Sequence, residues 1–87
     1  MYYVYLLLSK KGESYFSYVG YTNNLDKRLL LHNTSKGAKY TKGKKWKLIY
    51  FKNYSNKSIA LKEEYKLKKN YILRNRIKKK FLDNVKI

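Results

Sequence analysis

The sequence has no cysteine and no proline, four glycines, and five acidic residues in 87. Without cysteine there is neither a disulfide framework nor a thiolate metal site, so the fold has to rest on an apolar core. No proline, internal repeat or linker interrupts the chain. No run of 18 apolar residues exists, and the opening Met1–Leu8 stretch lacks a basic flank and a small-residue cleavage site. Neither a transmembrane span nor a signal peptide fits, so no membrane is expected as partner and the expected location is the cytoplasm. At this length a chain buries about 60% of its unfolded surface, enough for one core. A single domain over residues 1–87 is expected.

What is abundant is positive charge. Lys and Arg number 22, giving a formal net charge of +17. The first 35 residues contribute only +2 of this, whereas residues 36–80 hold 17 basic side chains against Glu63 and Glu64. Charge this lopsided favours a polyanion, because each neutralised phosphate releases counterions and the field of the whole protein speeds encounter. Nineteen of the cations are lysines, which meet phosphate as point charges, so backbone binding is favoured over sequence-specific readout. With 44% hydrophobic and 17% aromatic residues, the chain is too apolar for a disordered basic tail.

Tyr2–Leu8 is a β-branched and aromatic run, ended by turn-prone residues 9–14 and followed by Tyr15–Tyr21, which predicts a β-hairpin. Asn23 or Asn24 offers a cap for a helix over 24–34. Residues 35–45 carry Gly37, Gly43 and several lysines with little apolar content, the composition of a mobile cationic binding loop. Trp46–Tyr54 reads as a third strand. Ser55 or Asn56 can cap a second helix over about 57–69, and Tyr71, Ile72, Ile77, Phe81 and Leu82 mark a third. The order β-β-α-β-α-α predicts an α/β (α+β) domain, a small three-stranded sheet flanked by helices packed around one core.

Chemistry-bearing residues are few. Arg28 and His32 stand four apart on the first helix; with Leu25 at 0°, His32 falls at about −20° and Arg28 at about −60°, which places both at the edge of a cleft. On the second helix, with Ile59 at 0°, Leu67, Ala60 and Leu61 lie at about 80°, 100° and 200°, and Glu63 and Glu64 at about 40° and 140°. A carboxylate turned toward a core needs an ion-pair partner or a cation. Mg²⁺ suits a site that also meets phosphate, since it takes one or two carboxylates and keeps several waters. A lysine partner is the competing reading from spacing alone. Most of the eleven tyrosines fit half-buried packing roles.

Tyr3-Val4-Tyr5 and Tyr18-Val19-Gly20 resemble the paired motifs of the GIY-YIG nuclease superfamily, with Tyr and Val where the name has Gly and Ile. Arg28, His32, the Gly37-Ala38-Lys39-Tyr40-Thr41 loop and the Ser58–Lys68 segment follow in the family's order, and the Ala, Glu and Leu spacing of that segment selects Glu64 over Glu63. The resemblance spans about residues 2–82 and is greatest to the small stand-alone bacterial branch, with catalytic domains of the structure-specific endonuclease and excinuclease C N-terminal type.

The resemblance implies an endonuclease that hydrolyses DNA phosphodiester bonds with Mg²⁺ or Mn²⁺, selecting branched, flapped or single-stranded structure in repair, recombination or processing; RNA is a further possible substrate. It implies that Glu64 ligates the metal, that Arg28 stabilises charge on the phosphate, and that Tyr18 acts as general base or positions water. Tyr5 would stand beside it, with His32 as proton relay; which tyrosine takes the proton is left open, as is a contribution from Lys39. The lysine-rich loop and the last two helical segments would hold the strand through Lys39, Lys42, Lys44, Lys45, Lys68, Lys69, Arg74 and Arg76. Trp46 reads as core more than as a base-stacking residue. A domain this small is expected to draw specificity from a protein partner or a homodimer. The alternative is a catalytically silent nucleic-acid binding module with the same fold, and a basic protein for anionic membranes or acidic proteins is a third reading.

Overall fold

The computed structural model describes residues 1–85. The chain runs β1 (Tyr2–Lys11), β2 (Ser14–Thr22), α1 (Leu25–Asn33), a 3₁₀ turn over Lys39–Thr41, β3 (Lys47–Tyr54), α2 (Lys57–Lys69) and α3 (Tyr71–Val85). Apart from the 3₁₀ turn, these are the predicted elements in the predicted order. The three strands form one antiparallel sheet ordered β2-β1-β3.

The hairpin closes with Lys11 opposite Ser14. Gly12 takes φ +62 at the first central position of this two-residue turn, a conformation that matches strand twist and is open to glycine at little cost. β1 is hydrogen-bonded along both edges and buried over Val4–Leu8. Its apolar run is therefore continuous, with no in-out alternation. Between Leu6 and Leu7 the pairing with β3 slips: Leu6 faces Tyr50 and Leu7 faces Leu48. Ile49 is the extra residue, and both Ile49 and Tyr50 turn to the same side of the sheet.

Because β1 is covered on both faces, the single core expected from the sequence is two. Val4, Leu6 and Val19 pack with Ala60 and Leu67 of α2 and with Leu73 and Ile77 of α3. On the other face, Tyr5 and Leu7 pack with Trp46, Phe16, Tyr18 and Leu48, and with Leu25 and Leu29 of α1. Burying each large aliphatic side chain stabilises the fold by about 1.5–3 kcal/mol. The expectation that the apolar residues are committed to one core fails in a second respect. Ile59, Leu61, Tyr65, Tyr71 and Ile72 are 41–69% exposed on the outer sides of α2 and α3.

Caps fix the helix starts. The Asn24 side chain accepts from Lys27 N at 3.1 Å, so α1 begins at Leu25, and Asn56 accepts from Ile59 N at 3.2 Å for α2. Asn70 accepts from Leu73 N at 3.0 Å to open α3. Arg74 reaches back to close α2, donating from Nε to Leu67 O at 3.1 Å and from Nη2 to Lys68 O at 3.2 Å. Among the described residues no helix is long and apolar enough to cross a membrane.

Candidate active site

Tyr5 sits at the middle of β1 on the α1 face, 1% exposed and opposite Gly20 in the register. A Cβ on Gly20 would stand 2.9 Å from Tyr5 Cε1 and closer still to Cζ and Oη. Only glycine there lets the phenol lie across β2 toward α1. Its hydroxyl meets His32 Nε2 at 2.8 Å. His32 is 0% exposed and is the one fully buried residue of α1. The cleft-edge position expected for it is therefore corrected: the helix turns its His32 side straight onto the sheet, and Arg28, about 40° of arc away, takes the half-buried rim.

The far side of the imidazole is also satisfied. His32 Nδ1 lies 2.9 Å from Thr41 Oγ1, which donates to Ala38 O at 2.7 Å. Thr41 is 0% exposed. Gly37 closes the loop over the ring, where a Cβ would fall 2.6 Å from Nδ1. Residues 35–45, mobile by composition, are in fact tied down. Trp46 Nε1 donates to Thr41 O at 3.0 Å, and Asn33 holds Trp46 by accepting from its N at 2.6 Å and donating to its O at 3.1 Å. Trp46 is 3% exposed, a core residue as expected.

Aromatic rings wall the site. Tyr18 is half-buried, 5.0 Å from the His32 ring centroid, and stacks on Tyr40 at 6.2 Å and 21°. Lys44 Nζ lies 5.1 Å from the Phe16 ring centroid and 5.0 Å from that of Tyr40, and it donates to Tyr40 O at 3.1 Å. That lysine braces the loop.

Electrostatics link the remaining groups. Burial, opposed by the Arg28 guanidinium and reinforced by the charges of Tyr18 and Glu64, pushes the Tyr5 phenol up to about 12. The phenol oxygens of Tyr5 and Tyr18 in turn raise Arg28. His32 is lowered, first by burial and then by the Arg28 charge. Glu64 comes from α2, whose buried Ala60–Leu67 line rests on the opposite face of the sheet, yet its charge is felt at Tyr5. Ala60 and Leu67 lie at about 90° on that helix, so Glu63 and Glu64 diverge by about 50° to either side. Glu63 goes to a groove with Tyr54 and Lys66, where it pairs with Lys66 at 3.2 Å and adds to the raised pKa of Tyr54. Glu64, with its side chain 20% exposed, lies 3.7 Å from Lys68 Nζ.

The cationic residues divide. Lys39, Lys42 and Lys45 are exposed around the 3₁₀ turn, and Arg76 is exposed on α3. Lys68 is paired with Glu64, Lys69 lies 5.4 Å above the Tyr65 ring, and Arg74 holds the α2 carbonyls. Thr41, Tyr40, Asn33 and Gly37 were assigned no role from the sequence. The only signal for Thr41 was its place at the end of the loop motif, nine residues after His32. Among the described residues no three His, Asp or Glu side chains gather into a metal-ligand cluster.

A family model described as the GIY-YIG catalytic domain matches residues 1–80. The chain is 48% identical over 67 residues to a UPF0213 protein of Oceanobacillus iheyensis, covering 76% of this chain and 74% of that one. It is 50% identical over 70 residues to a UPF0213 protein of Clostridium perfringens, covering 79% and 72%. A UPF0213 protein of Staphylococcus saprophyticus is 40% identical over 67 residues, covering 76% and 78%. No solved structure matches.

Proposed function

The chain belongs to the GIY-YIG catalytic domain family, and from that premise we propose that it is a divalent-metal-dependent endonuclease hydrolysing DNA phosphodiester bonds, selective for branched, flapped or single-stranded structure. The observation that carries this reading is the gathering of the motif residues around one buried phenol, where Tyr5 bonds to His32 at 2.8 Å, the Tyr18 ring lies 5.0 Å from the imidazole and Arg28 stands on the half-buried rim. Repair, recombination or processing of DNA in the cytoplasm is the setting proposed, with a partner protein or a second copy adding specificity.

A single part-buried carboxylate fits Mg²⁺ or Mn²⁺, which accept one protein carboxylate and retain water. Glu64 would hold the ion, and the ion would supply Lewis-acid stabilisation of the leaving oxygen. Arg28, on the half-buried rim, presents a planar fork to the phosphate oxygens as charge develops there. Tyr5 is too buried to touch substrate, so Tyr18 is the phenol that meets the attacking water. At rest the proton of the Tyr5–His32 pair stays on Tyr5. Burial pushes the phenol up to about 12 and, with the Arg28 charge, holds the imidazole below its ordinary value, so both shifts oppose transfer. Tyr5 and His32 thus form a neutral, oriented backing to the site. Exposed Lys39, Lys42, Lys45 and Arg76 would track the strand through its phosphates.

One observation favours the second reading, a nucleic-acid binding module without catalysis. Glu64 already has Lys68 as a counter-ion, and the ion pair would have to open for a metal to bind. The two readings separate in one assay. Wild type, Glu64→Ala and Glu64→Gln are compared on labelled flap, fork, single-stranded and duplex DNA and on RNA, with Mg²⁺, Mn²⁺ or EDTA and with binding recorded in parallel. Metal-dependent cutting that both variants lose while binding persists is the expected result. Binding without metal-dependent cutting on any substrate would transfer the assignment to the silent module.

A further inference from the structure

The bond between Tyr5 and His32 does not end at His32. Thr41 Oγ1 carries one hydrogen, and Ala38 O, 2.7 Å away, can only accept it. The lone pairs of Oγ1 are then what faces His32 Nδ1 at 2.9 Å, so Nδ1 must carry a hydrogen. A neutral imidazole carries one. Nε2 is therefore bare, and at 2.8 Å it accepts from the Tyr5 hydroxyl. Donation runs one way, Tyr5 to His32 to Thr41 to Ala38, and the reverse direction would require a carbonyl to donate. With its hydrogen committed to His32, Tyr5 Oη keeps its lone pairs free to accept, and the nearby Arg28 guanidinium is raised by that phenol before any other group.

We infer that Thr41 is a positioning residue of this site, fixing His32 as the Nδ1–H tautomer and, through His32, orienting the Tyr5 hydroxyl. The geometry leaves Thr41 little freedom. Its backbone N at 3.0 Å and its hydroxyl at 2.7 Å both donate to Ala38 O, which sets its rotamer, and Trp46 Nε1 grips its carbonyl. A doubly protonated imidazolium, which would reverse the Tyr5 bond, is disfavoured by full burial and by the adjacent Arg28 charge. The tautomer follows from geometry alone; the consequence for cleavage rests on the nuclease reading above.

His32 is the only histidine in the chain, so long-range ¹H–¹⁵N spectra of its ring in the full-length protein at pH 7.5 report the tautomer without assignment. Wild type is expected to show the Nδ1–H pattern. Thr41→Val, which removes the hydroxyl at nearly constant volume, is expected to shift the ring toward Nε2–H, and Thr41→Ser to restore Nδ1–H. In the cleavage assay Thr41→Val is expected to lower kcat by roughly 10- to 100-fold with KM little changed, and Thr41→Ser to recover it. An Nε2–H pattern in wild type would overturn the inference, and that measurement stands even if Thr41→Val fails to fold. An unchanged Nδ1–H pattern in folded Thr41→Val would also overturn it. If wild type cuts no substrate, the nuclease reading fails by itself, and the ring spectra still decide the role of Thr41.

Discussion

Gly20→Ala adds one methyl group at the place where the fold has no room for it. The new Cβ would stand 2.9 Å from Tyr5 Cε1, and nearer to Cζ and Oη, where ordinary contact begins at 3.4 Å. Tyr5 cannot swing away into solvent, being 1% exposed and enclosed by Leu7, Trp46, Tyr18 and Leu29. The ring has to be displaced by more than about half an ångström at its edge and by more at the hydroxyl, so the 2.8 Å bond to His32 lengthens toward the roughly 3.5 Å at which it is lost. Overpacking a filled core costs about 1–3 kcal/mol, and the lost hydrogen bond about 0.5–1.5 kcal/mol more. For a domain of this size each kcal/mol is about 4–8 °C in Tm, so a fall of the order of 10 °C is expected. Thermal and urea unfolding monitored by circular dichroism give the stability, and the His32 ring spectra give the bond. Gly20→Ser should behave at least as badly, having an extra atom to place. A Gly20→Ala protein that melts with wild type and keeps an unaltered His32 spectrum would refute the claim that this glycine exists to admit the Tyr5 phenol.

Three other outcomes follow from the charges of the protein. His32 has a pKa lowered by burial and by Arg28, so the unfolded chain binds a proton that the folded one refuses; the urea midpoint should hold above pH 6.5 and fall as pH drops from 6.5 toward 5.5, whereas a flat profile across that window would contradict a neutral buried ring. Tyr5, raised to about 12, gives the opposite limb, with stability present below pH 10 and lost as pH rises from 10 to 12. Affinity for single-stranded DNA, followed by anisotropy between 50 and 200 mM NaCl, should fall with a log–log slope on the order of −4 if about six cations meet phosphates, and a slope near zero would exclude phosphate tracking.

Local structure was legible because it is written in local signals. Asn24 and Asn56 cap the helices the sequence placed after them, and the apolar runs at Tyr2–Leu8 and Lys47–Tyr54 became strands. What failed depended on distant contacts. Nothing near residues 35–45 reveals that Asn33 and Trp46 clamp them, and composition alone made them look free. Helical angles put His32 close to the apolar stripe of α1, but its complete burial depends on partners 27 residues before it and nine after it. Arg74 was assigned to phosphate binding on charge alone; that its guanidinium has carbonyls to satisfy follows from the sharp turn between α2 and α3 at Asn70.

The hold of His32 on the sheet has a consequence for how the site comes apart. α1 has nine residues, fewer than an isolated helix needs to persist in water, and Leu30 on its outer side is 62% exposed. A polar hook into the Tyr5–Thr41 pocket, with half-buried Leu25 and Leu29 beside it, is what keeps the helix down. Tyr5, by contrast, stands on the strand bonded along both edges. Subglobal opening can therefore lift α1, and Arg28 with it, while the sheet and the motif tyrosine of β1 stay folded. The amides of α1 are expected to exchange faster than those of β1, which makes the assembled site a less stable object than the protein that carries it.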